Sequence, residues 1–152
     1  MQPDLFMSML SSGCSSGIII DIGDKVSQAI CFVNNRPLLH TWREATVGVS
    51  HAVKVFHAGL GEISKPAAME TVFRQVACFS SDPLEDVEIS PMQLTSGDYI
   101  TSIPSSLRSD CLECIYTGYT TEGECYDENN GVAGLILQCL LACNHDVRLN
   151  VA

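Results

Sequence analysis

Asp21-Ile22-Gly23-Asp24-Lys25 is the segment of this chain best suited to chemistry. A tight turn between two apolar runs exposes backbone N–H groups, its glycine admits a close phosphate, and an aspartate at a strand end can hold a metal-bound water. The same residue types dominate ordinary hairpin turns, so the turn taken alone reads first as structure. A second pattern is the CxxC of Cys111-Leu112-Glu113-Cys114. Zinc needs four ligands, and Cys125, Cys139, Cys143 or His145 could be invoked to complete a set. Against this, Cys111 and Cys114 share the apolar face of one predicted helix and Cys139 and Cys143 that of another, the placement of buried structural thiols. A redox CxxC belongs at a helix start after a strand, which is not its position here. His40, His51 and His57 form no catalytic set, no serine stands in a nucleophile elbow, and the acids of 82–88 and 122–128 read as solvated loops.

The elements that must position these residues follow from periodicity. Residues 3–10 carry Leu5, Phe6, Met9 and Leu10 at helical spacing and read as the end of a helix before Ser11-Ser12-Gly13. An Ile run over 17–23 and a strand-forming run over 26–33 make a hairpin about Gly23-Asp24-Lys25. Asn34-Asn35-Arg36-Pro37 turns the chain into a third antiparallel strand over 38–42, giving a meander. After Thr46 the period becomes helical, with Val49, Ala52, Val53, Phe56 and Leu60 on one face and Gly59 and Gly61 at the end. A second helix is predicted over 66–79, with Pro66 in its first turn and Ala68, Met69, Val72, Val76 and Phe79 inward. Short strands follow over 87–94 and 99–103 about a Ser96-Gly97 turn. A helix then opens at Pro104 with Leu107, Cys111, Cys114 and Ile115 on one side. The clearest helix begins near Asn130, as Val132, Leu135, Ile136, Cys139, Leu140 and Cys143, and another is predicted over 144–152.

At 152 residues and 46% hydrophobic content the chain suits one compact core of a globular protein. It contains no run near the roughly 20 apolar residues of a membrane span, and its first residues lack a basic signal-peptide region, so the expectation is a cytoplasmic protein. Eight cysteines beside aliphatic runs such as Ile18-Ile19-Ile20 fit reduced, buried thiols better than a disulfide scaffold. A formal charge of −10 opposes phosphate-backbone binding and favours a basic protein partner over nucleic acid.

The order of these features resembles the second phosphate hairpin of the actin, sugar-kinase and heat-shock chaperone superfamily: strand, DxGD turn, strand, turn with proline, strand, then a glycine opening a helix. Asp21, Gly23, Asp24, Val26, Pro37 and Gly48 stand at matching places. Residues 74–79 resemble the actin helix beside the adenosine, and 135–148 the helices before the adenosine-binding loop. Within the actin-related family, 98–104, 126–130 and 135–139 are similar to the divergent branch at the pointed end of dynactin. The resemblance implies a partial actin-like (ribonuclease H-like) α/β fold. Its mixed sheet would contain the β-meander, flanked by helices. It also implies one lobe over 1–152, with the strand-turn-strand at 17–33 and a helical and loop portion at 47–152, incomplete at both ends. It implies a degenerate nucleotide cleft at Asp21, Gly23, Asp24, Lys25, Arg74 and Gln75, with ATP or ADP and magnesium in a full-length protein. Lys25 replaces the second glycine of DxGxG, and Arg74 and Gln75 replace a lysine and a glutamate, so hydrolysis is not expected. The implied role is a non-catalytic cytoskeletal subunit whose partners are other actin-related and pointed-end dynactin subunits. The alternatives are a nucleotide-binding actin-like ATPase and a small stand-alone domain with a coincidental turn.

Overall fold

The computed structural model describes residues 7–8, 10–61, 66–78, 85–94, 96–97, 99–119, 131–144 and 146. The first of these are helical at Met7, Ser8, Leu10 and Ser11. β1 (Gly17–Ile22) and β2 (Ser27–Val33) form the expected hairpin, with Ile19 opposite Ile30 and Ile22 opposite Ser27. β2 is the central strand and carries the buried Ala29, Ile30, Cys31 and Phe32.

The third strand differs from expectation. It is split into β3 (Arg36–Pro37) and β4 (Arg43–Ala45), which both pair antiparallel with β2, and a 3-10 turn at Leu39–Thr41 lies between them, within the 38–42 predicted as strand. The cause is Thr41. Its buried hydroxyl donates to Leu38 O at 2.7 Å and accepts the Cys31 N–H at 3.0 Å, so a side chain satisfies a sheet amide that a continuous strand would have bonded. Thr41→Val keeps the shape and leaves that buried N–H without its acceptor. It is expected to cost about 1–3 kcal/mol in denaturant unfolding and to speed hydrogen exchange at the Cys31 amide.

α1 (Val49–Leu60) follows, and Gly61 caps it with its N–H on His57 O at 3.0 Å. α2 spans Pro66–Val76; Phe79, and the side chains of Ala68 and Met69, lie outside the described residues. β5 (Val87–Gln93) and β6 (Tyr99–Ile103) make a separate two-stranded sheet. α3 (Ser105–Thr117) and α4 (Gly131–Ala142) complete the described elements, and the helix predicted over 144–152 lies almost wholly outside them. Every strand pairing among the described residues is antiparallel. This corrects the expected mixed sheet, because short connections such as 23–26 permit hairpins, whereas a parallel pair needs a long crossover.

Two apolar clusters hold these elements. One gathers Ala52 and Phe56 of α1, Phe73 and Val76 of α2, Met92, Ile103, and Cys111, Cys114 and Ile115 of α3. The other sets Leu135 and Cys139 of α4, with Cys143, against Ala29, Cys31, Ala45 and Val47. The fold is therefore α/β, with small antiparallel sheets packed by helices. No helix among the described residues is long and apolar enough to cross a membrane.

Candidate functional site: the hairpin tip and its helix

The tip of the β1–β2 hairpin is fixed by close approaches of backbone. Gly23 N donates to Val26 O at 3.1 Å, and a Cβ at Gly23 would lie 2.7 Å from that same oxygen, so only glycine fits this turn. The tip then docks on the start of α1. Val49 N donates to Gly23 O at 3.0 Å and Ser50 N to Asp24 O at 2.8 Å. These are first-turn donors that have no partner inside a helix and that elsewhere receive anions. Here the hairpin's own carbonyls occupy them. Ser27, fully buried, ties the start of β2 to the connection between β4 and the helix by donating to Val47 O at 2.7 Å.

Gly48 sits between the two, extended rather than left-handed. Its N–H donates to Nδ1 of His51 at 3.1 Å, three residues on, the spacing of a capping box with histidine in place of glutamate. Burial first, and then the Lys54 ammonium, hold the His51 pKa below its usual 6.5, while the Asp24 carboxylate opposes them. The unfolded chain thus binds this proton more readily than the folded one. The stability that His51 contributes is complete above pH 6.5 and is lost as pH falls from there through the lowered folded value. Thermal melts at falling pH should show the wild-type Tm dropping relative to that of His51→Asn, which cannot titrate.

The expected site residues do not form one cluster. Asp21, Asp24 and Lys25 are exposed at the hairpin tip, with Gly23 half-buried between them. Arg74 lies on the exposed side of α2, where it is paired with Glu70 at 2.8 Å. Gln75 opens onto a groove of about 710 Å³ between α2 and β5, which none of the four tip residues lines. The residues present suit a magnesium nucleotide poorly. The N–H groups of Val49 and Ser50 are engaged, and a lysine follows the Gly23-Asp24 turn.

The CxxC thiols lie on the inner face of α3, both buried, and burial pushes Cys111 up to about 12 and Cys114 up to about 11. They are neutral thiols at physiological pH, poor nucleophiles and poor ligands. Cys139 and Cys143 lie in the other apolar cluster with Cys31, and Cys125 and His145 lie outside the described residues. Among the described residues no three His, Cys, Asp or Glu side chains group as a metal site would require.

Two contributors escaped sequence reasoning. Thr41 carried no signal in Leu38-Leu39-His40-Thr41, whereas the spacing of Gly48 and His51 was legible as a cap had histidine been admitted as its acceptor. The architecture defined here is a hairpin tip docked on a helix N-terminus within a small α/β fold. Compared with known proteins, the sequence matches no family model and no curated protein.

Proposed function

We propose that the chain is a non-catalytic, actin-related structural subunit of the pointed-end complex of dynactin, supporting dynein-based transport on microtubules. The observation that carries this reading is the joint between the hairpin tip and α1. The order of hairpin, turn with proline, third strand, glycine and helix resembles that of the actin phosphate hairpin, from which the split of the third strand departs, and Gly48 is held against Gly23 and Asp24 by backbone contacts. The chemistry of the joint has been reduced. Phosphoryl transfer rests on positioning and electrostatics, and here the helix donors are engaged, Arg74 is paired with Glu70, and Gln75 faces another groove.

β1 adds support for a wider actin-like lobe. Ile20 and Ile22 are exposed on a strand that pairs with β2 alone among the described strands, and a continuous isoleucine run of this kind suits the interior of a larger sheet. In this reading the mechanism is shape complementarity: one face docks on the neighbouring filament subunit while divergent loops prevent a further subunit from adding. The test is co-expression with the pointed-end dynactin subunits. Co-purification in mild salt is the expected result, and failure to co-purify would sink the assignment.

A second reading, a nucleotide-binding actin-like ATPase, draws on the exposure of Asp21, Asp24 and Lys25 at the tip. It requires a thermal shift with magnesium ATP that Asp21→Ala abolishes. The structural-subunit reading expects neither this dependence nor turnover.

A further inference from the structure

The groove between α2 and β5 is a second built feature of the molecule. Its α2 wall is Thr71, Val72, Gln75 and Val76, one side of the helix, and its other wall is the six consecutive residues 87–92. Val87 and Glu88 lie in the regularly paired part of β5 and point to opposite faces, so a groove bordered by both runs along the strand's edge there; beyond Glu88 the register shifts and the alternation no longer applies. β5 pairs with β6 and with no other described strand, so this edge is open among the described residues. The volume of about 710 Å³ falls within the roughly 300–1,000 Å³ of ligand sites.

Arg108 sets the distance between the walls. From α3 its guanidinium donates to Val76 O at the end of α2, at 2.9 Å, and to Glu85 O just before β5, at 2.7 Å. One planar fork thus ties both walls to a third element, and the groove is formed before any ligand arrives.

The edge and the charge select the occupant. Pro91 has no N–H, and the β5–β6 register shifts between Glu88 and Met92, so an added strand can be short only, along the first half of β5. Among the described residues Glu88 lines the groove and no cation does, Glu85 stands just before the strand, and Arg74 is already paired with Glu70. The chain as a whole carries −10, which opposes a second copy as the occupant.

We propose that this groove binds a short extended segment of a partner protein in which apolar residues alternate with Lys or Arg. The segment adds as a strand along the first half of β5, its apolar side chains pack on Val72 and Val76, and a basic side chain meets Glu88. This inference stands independently of the proposed dynactin role.

The test uses the whole chain and a set of labelled hexapeptides in which Val, Ile or Leu alternates with Lys or Arg, read by fluorescence anisotropy. Cationic members are expected to bind saturably, and their glutamate counterparts and N-methylated forms to bind roughly ten-fold or more weakly. Glu88→Lys, an exposed substitution whose fold is checked by its melting curve, should weaken the cationic peptides by about ten-fold, and Val72→Arg should block the groove. The proposal is overturned if no cationic peptide binds, if Glu88→Lys or N-methylation leaves binding unchanged, or if sedimentation shows the groove filled by a second copy of the chain.

Discussion

Gly48→Ala is expected to destabilise the chain by about 3 kcal/mol or more, well beyond an ordinary surface substitution. A methyl group at this position would sit against Gly23 O and within 2.6 Å of Asp24 O. Both obstacles are backbone atoms, and both are acceptors for the first N–H groups of α1, so relief of the clash pulls the tip away from the helix and breaks the bonds to Val49 and Ser50. Glycine is required here for room and not for conformation, since its backbone is extended. Gly59→Ala is the matched control. Its methyl would meet only the movable end of Leu107, and alanine improves helix propensity by about 1 kcal/mol, so its net loss should be smaller. Equal denaturation midpoints for the two variants would refute the account of the joint.

Phe56→Ala should cost about 3–5 kcal/mol. Phe56 is fully buried and meets Phe73 edge-on, with ring centroids 5.5 Å apart at 70°, so it joins α1 to α2 at the centre of the first apolar cluster. Edge-to-face packing adds about 0.5–1.5 kcal/mol to the burial. Removing the ring therefore creates a cavity and also strips Phe73 of its partner. Urea unfolding checks the magnitude, and a loss below about 1 kcal/mol would mean that the cluster collapses into the space.

The elements that the sequence announces clearly are those where one periodicity acts alone. The strand of the isoleucine run, the spacing from Val49 to Leu60, and the inward positions Cys111, Cys114, Ile115, Leu135 and Cys139 appear in the structure as read, although Ile20 and Ile22 of that strand are exposed and not buried. The split third strand was not legible, because its cause is one hydroxyl reaching the Cys31 amide across the sheet, a tertiary contact invisible to local pattern. At the candidate site the turn at Gly23 could be read from residue types, but its docking on Val49 and Ser50 could not. Those bonds join residues about 25 apart in sequence, and only the size of the space at Gly48 records them. Arg74 and Gln75 were named through a resemblance, and the helix carrying them directs one to Glu70 and the other to the β5 groove.

α4 belongs to both apolar clusters at once. Val132 and Ile136 pack with the helical group, whereas Leu135, Cys139 and Leu140 pack with the sheet. Neither half can lose its contacts without uncovering a face of the helix on which the other half depends. The two halves should therefore melt as a single cooperative unit despite their separate sheets. The only tryptophan, Trp42, reports from the sheet side, and the thiol of Cys111 from the helical side. Their denaturation midpoints should coincide.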